Sequence, residues 1–94
     1  MTVTFSFELD TKYMKHIEDK SHYNHNYYEL DLDHYGDYIL PGMCDILYEE
    51  CDEFSNTYTY TLGYFEGVDF VECFTWTEME RKTSWLLNSF IICL

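Results

Sequence analysis

The clearest structural signal in the chain lies at residues 57–76, which read TYTYTLGYFEGVDFVECFTW. Aromatic and β-branched residues, which are common in strands, recur through both halves of this segment. Between the halves, Glu66-Gly67 is short enough for a two-residue turn. The segment therefore predicts a β-hairpin with strands over 57–65 and 68–76.

Two more strands are predicted on the N-terminal side of this hairpin. Residues 1–9 alternate apolar and polar side chains, which is the pattern of a strand with one buried face. Residues 28–38 repeat that alternation, with Leu30 and Leu32 set against acids and with Gly36 as a bend or bulge.

Three helices are predicted between and after these strands. Asp10 or Thr11 can cap a short helix that ends near residue 20. A second helix is predicted to start at Pro41 and to end near residue 54, because apolar residues recur there every three or four positions. A capping box at residues 77–80, TEME, opens a third helix that reaches the C-terminus. The apolar stripe of the second helix comprises Met43, Ile46, Leu47, Cys51 and Phe54.

These elements predict a single acidic α+β domain over residues 1–94, a compact fold in which helices pack on a mainly antiparallel sheet in the order β-α-β-α-β-β-α. The hairpin and the last helix carry more apolar side chains than one sheet face buries. A homodimer would cover the surplus, and we expect one. A thicker core would cover it nearly as well and remains the alternative.

The composition limits the classes of partner. The 94 residues include 18 Asp and Glu against 5 Lys and Arg, which gives a formal charge of −13. Repulsion between like charges excludes direct binding to nucleic acid or to an anionic membrane surface. Because 47% of the residues are hydrophobic, the chain has enough apolar surface to fold and is not an acidic disordered tail.

No sequence motif indicates an enzyme, a cofactor or a metal site. The chain contains no glycine-rich phosphate loop and no nucleophile elbow. His22-x-x-His25 has neither nearby cysteines nor the spacing of a helical zinc pair. The segment that starts at Asp31 has Gly42 where a calcium-binding loop needs a glutamate. We therefore expect no catalysis, no metal and no cofactor.

The ends of the chain and its cysteines bear on the compartment. The N-terminal residues lack the basic and then continuously apolar character of a signal peptide. The apolar stretch 85–94 is about half as long as a membrane helix must be. The four cysteines include no C-x-x-C pair. These features predict a soluble protein of the cytoplasm with reduced thiols.

The distribution of the charge is more unusual than its total. Fourteen of the 18 acids lie between Ser21 and Glu80, and no Lys or Arg lies there. In the predicted second helix, acids in the C-terminal half would each cost about 0.3–1 kcal/mol against the helix dipole. Acids kept at such a cost suggest a function. The alternative is that they only solubilise the protein and protect a sheet edge from aggregation.

The predicted strand and helix would place these acids in regular rows. Glu29, Asp31 and Asp33 would stand about 6.7 Å apart on one strand face, close to the roughly 7 Å between successive phosphates of one DNA strand. A rigid row of this kind could occupy a DNA-binding groove through its complementary potential. The candidate partner-binding acids are Glu29, Asp31, Asp33, Asp37, Asp45, Glu49, Glu50, Asp52, Glu53, Glu66, Asp69 and Glu72.

The acidic, tyrosine-rich segments 26–38 (NYYELDLDHYGDY) and 48–54 (YEECDEF) resemble phage-encoded DNA mimics that inhibit host restriction systems. In its small size and its acidic, tyrosine-rich composition the chain is most similar to the Arn anti-restriction proteins of T-even phages, and this similarity extends over the whole chain. The resemblance implies a dimeric α/β fold and inhibition of a modification-dependent nuclease of the McrBC type.

The leading hypothesis is therefore a DNA-mimic inhibitor that occupies the DNA-binding groove of a host restriction nuclease, or of another host DNA-binding protein, and protects phage DNA. In the alternative hypothesis, the chain is an acidic protein–protein interaction module that regulates host transcription through exposed aromatic residues such as Tyr64 and Trp85. Neutralising the acids would abolish the first activity, whereas changing the aromatic residues would abolish the second.

Overall fold

The hairpin predicted from residues 57–76 is confirmed in the computed structural model of the chain. Its two strands pair in antiparallel register up to Glu66 and Asp69. The two turn residues are Gly67 and Val68, one position later than predicted. Gly67 has a φ of 65°, a left-handed conformation that glycine adopts without steric cost and that suits a two-residue hairpin turn.

The structure describes the backbone of residues 2–36, 39 and 42–93 and the side chains of residues 8–36, 39 and 42–85. Strands dominate this part of the chain. The elements are β1 (Thr2–Asp10), β2 (Met14–His16), β3 (His25–Leu30), α1 (Leu32–Tyr35), β4 (Ile46–Asp52), β5 (Thr57–Glu66), β6 (Asp69–Glu78) and β7 (Ser84–Cys93).

The strands form two antiparallel sheets. Five of them make one sheet in the order β2-β3-β4-β5-β6, and β1 pairs with β7 as a separate ribbon. In the described part of the chain, α1 and two single 3-10 turns are the helical structure. The fold is therefore a mostly antiparallel β fold, and the predicted α+β order β-α-β-α-β-β-α is wrong.

The largest error concerns residues 41–54, which were predicted to be a helix. Strand β4 occupies most of this segment, and the predicted start at Pro41 lies outside the described residues. A central strand is covered on both faces, so its apolar residues follow one another and can also match a helical spacing. Ile46 and Leu47 are both buried although they point to opposite faces of the sheet. Phe54 lies fully exposed in the turn after β4.

The predicted C-terminal helix is also wrong. Thr77 and Glu78 end β6 instead of capping a helix, and residues 84–93 form β7. Pairing with β1 supplies the backbone hydrogen bonds that a helix would make internally. Trp85, which the sequence suggested as an exposed contact residue, is only 5% exposed.

The N-terminal half keeps its first strand and loses its first helix. β1 confirms the strand predicted over residues 1–9. The helix predicted up to residue 20 is replaced by two 3-10 turns on either side of β2. Asp10 does act as a cap, because its carboxylate accepts a hydrogen bond from the Lys12 amide at 3.0 Å.

The strand predicted over residues 28–38 is shorter and begins earlier. β3 ends at Leu30, and the next residues turn into the four-residue helix α1. Asp31 stabilises this change of direction, since its carboxylate accepts a hydrogen bond from the Asp33 amide at 3.0 Å.

The core lies between one face of the five-stranded sheet, which we call the inner face, and the β1–β7 ribbon. Leu9 and Trp85 are paired across the ribbon, and both are buried. The ring of Trp85 lies 4.7 Å from that of Tyr60 on β5, measured between centroids. The Tyr35 hydroxyl bonds to the backbone of Asp10 and so ties α1 to the ribbon. The buried core comprises Leu9, Leu30, Tyr35, Ile39, Cys44, Leu47, Tyr60, Leu62 and Trp85.

Gly63 permits a bulge between β5 and β6. The register of these strands shifts between Leu62 and Gly63. A Cβ atom at position 63 would lie 2.2 Å from the carbonyl oxygen of Val71 and 2.7 Å from Cζ of Phe70. The Phe70 ring therefore occupies the space over this glycine that a side chain would need.

Gly63→Ala should destabilise the protein by about 1–3 kcal/mol, because the new methyl group must displace both strand backbone and the Phe70 ring. Gly67→Asn is the control, since nothing lies within 4 Å of its Cβ position and asparagine tolerates a positive φ. Urea denaturation monitored by tryptophan fluorescence measures both. Unchanged stability of the alanine variant would contradict the packing described at the bulge.

Candidate functional site

The second face of the five-stranded sheet, which we call the outer face, points away from the core. Strand pairing fixes its membership, because paired residues share a face and successive residues alternate. Ile46 and Thr61 are buried on this face, so other side chains cover them. Its residues are Lys15, His25, Tyr27, Glu29, Ile46, Tyr48, Glu50, Asp52, Thr57, Thr59, Thr61, Gly63, Phe65, Phe70, Glu72, Thr75 and Thr77.

Four rings pack together on the outer face, and we call them the aromatic cluster: Tyr27, Tyr48, Phe65 and Phe70. The Tyr27 ring centroid lies 4.7 Å from that of Tyr48, 5.3 Å from Phe65 and 5.4 Å from Phe70. Such distances are those of favourable aromatic pairs. All four residues are half-buried, so the cluster is packed and still partly open to solvent.

Three exposed glutamates surround the aromatic cluster. Each follows a cluster residue by two positions on the same strand, so the two-residue period puts ring and carboxylate on one face. From the strand spacing and the rise per residue, the Cα atoms of these glutamates stand about 14–17 Å apart. The pairs are Tyr27 and Glu29 on β3, Tyr48 and Glu50 on β4, and Phe70 and Glu72 on β6.

The carboxylates act on the cluster electrostatically. Burial first, then the negative charge of Glu50 and the neighbouring Tyr27, and last the charge of Glu72 raise the pKa of Tyr48 to about 12. Burial and the charges of Glu50 and Glu72 also raise the pKa of Tyr27. The Tyr48 hydroxyl also forms a hydrogen bond with Nδ1 of His25. Both tyrosines are therefore neutral at physiological pH and lie in a field that favours a cation.

Four further predicted acids extend the negative charge along the strands. Asp52 ends β4 and Glu53 follows it, whereas Glu66 and Asp69 flank the hairpin turn at the other end of β5. All four are exposed. Because β5 has ten residues, these ends are about 30 Å apart. We call the whole set the acidic run, and it comprises Glu29, Glu50, Asp52, Glu53, Glu66, Asp69 and Glu72.

The remaining predicted acids do not join the acidic run. Asp31 and Asp33 lie at the start of α1. Asp45 precedes β4, where its carboxylate accepts a hydrogen bond from the Gly42 amide at 3.2 Å. Asp37 lies outside the described residues, and Glu49 lies on the inner face.

The regular rows predicted for these acids are wrong. A row over residues 29–33 cannot form, because β3 ends at Leu30 and the chain turns into α1. The predicted helix would have put Asp45, Glu49 and Glu53 four residues apart along one side, and this row cannot form either, because β4 is a strand. Apart from Glu50 and Asp52, which stand two residues apart on one face of β4, the acids are therefore not spaced like successive phosphates of one DNA strand.

Glu49 is held in a buried polar network. The residue is 5% exposed, and its Oε2 lies 3.3 Å from Nε of Arg81, which comes from the β6–β7 connection. Its carboxylate also accepts hydrogen bonds from the Tyr60 hydroxyl at 2.9 Å and from Asn26 at 3.2 Å. Arg81 donates a further bond to the Tyr28 hydroxyl at 3.2 Å. These partners compensate the buried charge and hold the connection on the sheet, so this carboxylate is not available to a partner protein.

Ion pairs do not neutralise the outer face. Among the described residues, the ion pairs are Arg81 with Glu49 and Lys82 with Glu78, and none involves a member of the acidic run. The same part of the chain contains no group of three or more His, Cys, Asp or Glu side chains that could hold a metal ion. It also contains no helix of the length and apolar character needed to cross a membrane.

A cavity of about 430 Å³ lies between β2 and the start of α1. Its charged lining combines two lysines with the carboxylates of Glu29, Asp31 and Asp33. Charges of both signs oppose each other there, so the cavity favours neither an anion nor a cation. The cationic lining residues are Lys12 and Lys15.

Comparison with known proteins adds nothing to this geometry: no protein-family model, no curated protein and no solved structure matches the chain. The assignment of a site therefore rests on the residues of this chain. The resemblance to phage DNA mimics stays a prediction.

Sequence analysis missed the aromatic cluster. The signal that could have found it is an aromatic residue followed two positions later by glutamate, which occurs on the outer face at residues 27–29, 48–50 and 70–72 and on the other face at 64–66 and 76–78. The helix predicted over residues 41–54 would have separated Tyr48 from Glu50. The bulge at Gly63 changes which residues of β5 share a face with Phe70 and Glu72, and the sequence does not show this. The cluster becomes visible only when all three segments are strands of one sheet.

Substitutions of the adjacent acids Glu49 and Glu50 should differ in their effect on stability. Glu49→Ala should destabilise the protein by about 1–3 kcal/mol, because the Tyr60 hydroxyl and Arg81 lose their partner. Glu50→Ala removes an exposed side chain and should change stability by no more than about 0.5 kcal/mol. Chemical denaturation at neutral pH measures both, and equal losses would contradict the placement of these residues on opposite faces.

Alkaline pH should destabilise the protein through Tyr48. Its pKa is raised from 10.0 to about 12 in the folded state, so its stabilising contribution is complete below the unfolded pKa and is lost as pH rises through the folded one. Tyr48→Phe should therefore lose less stability between these two pH values than the wild-type protein. Denaturation midpoints across this range measure the difference, and identical pH profiles would contradict the raised pKa.

Proposed function

We propose that this chain is a DNA-mimic inhibitor whose acidic run occupies the DNA-binding groove of a host DNA-binding protein, with a restriction nuclease as the leading candidate. It catalyses no reaction and acts in the host cytoplasm by competing with DNA. The homodimer predicted from the sequence remains part of this proposal. The observation that carries it is a run of exposed carboxylates, without ion pairs in the described residues, that extends over about 30 Å along the strands and has four members on the outer face: Glu29, Glu50, Asp52 and Glu72.

The dimensions of the acidic run support a groove as its target. Its length of about 30 Å is close to one turn of B-DNA, about 34 Å. The separations of about 14–17 Å between the glutamates around the cluster are on the scale of the major groove, about 12 Å wide. In a DNA-binding protein, basic side chains contact phosphates on both sides of a DNA groove. The same side chains could therefore contact carboxylates of this chain, because the glutamates are separated by a similar distance.

The charge of the chain supports competition as the mechanism. A net charge of −13 steers the protein towards basic surfaces and gives rapid association. Carboxylates that form no ion pair within the described residues, such as Glu50 and Glu72, keep their attraction for a partner. The affinity for such a partner should consequently fall as the salt concentration rises.

The alternative function, an acidic protein–protein interaction module that regulates host transcription, is favoured by the aromatic cluster. Rings at the centre of an interface often provide most of its binding energy. Trp85 is buried and cannot serve as the contact residue of such a module. The half-buried cluster residues would take that role.

Glu29→Gln/Glu50→Gln/Glu72→Gln should strongly weaken inhibition while the fold is retained, because all three side chains are exposed on the outer face. The immobilised chain is used to capture its partner from bacterial lysate, and DNA binding by the captured protein is then measured with and without the chain. The triple variant should inhibit at least roughly tenfold more weakly than the wild-type protein. Duplex DNA should also displace the partner.

The matched control is Glu8→Gln/Asp33→Asn/Glu80→Gln, which makes the same change in net charge at exposed positions on β1, α1 and the β6–β7 connection. This control should inhibit like the wild-type protein. Equal weakening by both triple variants would contradict a localised site. Failure of duplex DNA to displace the partner would overturn DNA mimicry and favour the interaction module.

A further inference from the structure

The aromatic cluster already accepts a cation from its own chain. Nζ of Lys20 lies 5.0 Å from the centroid of the Phe65 ring, within the range of about 6 Å over which a ring face attracts a positive charge. Lys20 belongs to the 3-10 turn between β2 and β3. At least one ring of the cluster is therefore oriented to receive a cation.

The rings of Tyr27 and Tyr48, in contrast, lie in the field of negative charges. The charges of Glu50 and Glu72 both contribute, after burial, to the raised pKa of Tyr27 and of Tyr48, so both carboxylates act on the same two hydroxyls. Neither glutamate forms an ion pair among the described residues. The rings between them are half-buried and keep some surface for a ligand.

We propose that the outer face binds an arginine side chain of the partner protein, with its guanidinium stacked on the rings of Tyr27 and Tyr48 between the carboxylates of Glu50 and Glu72. The inference rests on the proposed function, since it names the partner chemistry at the same surface. A planar cation satisfies both components of the site, because its face meets the rings and its edge donates hydrogen bonds to carboxylates.

Arginine suits this site better than lysine. The guanidinium is more weakly hydrated than an ammonium group, stacks on aromatic faces and donates from five N–H groups. A lysine ammonium would gain the same charge attraction but would lose more hydration and could not stack. DNA-binding proteins use arginine for both phosphates and guanine edges, so the proposed partner would supply it.

The test compares nona-arginine with nona-lysine, two peptides of equal length and charge, by calorimetric titration of the full chain at one salt concentration. Nona-arginine should bind about fivefold or more tightly than nona-lysine. Affinities that agree within twofold would overturn the inference, because charge alone would then explain binding.

Ring variants test the stacking. Tyr27→Leu and Tyr48→Leu keep apolar volume without a ring and should reduce the arginine-to-lysine affinity ratio towards one. Tyr48→Phe keeps the ring and should retain the ratio. A ratio that persists in both leucine variants would overturn the assignment of these rings.

Carboxylate variants provide a test that does not depend on the ring variants folding. Glu50→Gln/Glu72→Gln should weaken binding of nona-arginine at least threefold more than Glu8→Gln/Glu80→Gln, which changes the net charge equally at a distance from the outer face. Equal weakening by the two double variants would overturn the placement of the arginine between Glu50 and Glu72.

Failure of this inference is distinguishable from failure of the proposed function. If the affinity ratio is one while duplex DNA still displaces the captured partner, the arginine site is wrong and DNA mimicry stands. If the ratio is high while DNA does not compete, DNA mimicry is wrong and the arginine site belongs to the interaction module.

Discussion

Side chains alternate between the two faces of a strand, and in β4 this alternation sends Glu49 to the inner face and Glu50 to the outer face. The inward carboxylate requires the ion pair and hydrogen bonds that Arg81 and Tyr60 provide, and this fastens the β6–β7 connection to the sheet. The outward carboxylate remains available to a partner. The same alternation places Tyr48 beside Glu50, so the core network and the candidate binding surface both depend on the register of one central strand.

The sequence suggested a function for the acids because regular rows of them would cost stability, and the structure removes most of that cost. In regular rows about 7 Å apart, or in a helix, they would repel one another appreciably. Glutamates about 14–17 Å apart repel by only about 0.3 kcal/mol per pair in water, before screening over a Debye length of about 8 Å at physiological salt. Closer pairs, such as Glu66 opposite Asp69, keep some repulsion. The shape of the acidic run and its lack of ion pairs are therefore stronger signs of a function than its cost in stability. The packed rings beside the glutamates hold the strands that carry them in place, which reduces the entropy that binding must overcome.

The sequence predicted the elements whose period was unambiguous. Alternation over residues 1–9 and the aromatic and β-branched residues of 57–76 predicted strands, and both predictions are confirmed. Similar alternation over residues 28–38 gave a strand only as far as Leu30. Residues 46–52 were beyond this reasoning, because a strand covered on both faces has no clean alternation and its apolar residues also fit a helix. The exposure of Glu50 and the burial of Glu49 follow from that strand, so no argument based on charge alone could separate them. Likewise, the contact of Phe70 with Tyr27 depends on the bulge at Gly63, for which the sequence offered only an isolated glycine.

Carbodiimide labelling of carboxylates, followed by mass spectrometry, tests the central claim directly, because it reads the two faces of the sheet in one experiment. In the free protein, Glu50 and Glu72 should react and Glu49 should not. In the complex with the captured DNA-binding partner, Glu50 and Glu72 should become protected, while Glu8 and Glu80 should react as before. Labelling of Glu49 at the rate of Glu50, or protection of Glu8 and Glu80 in place of the outer-face glutamates, would contradict the account.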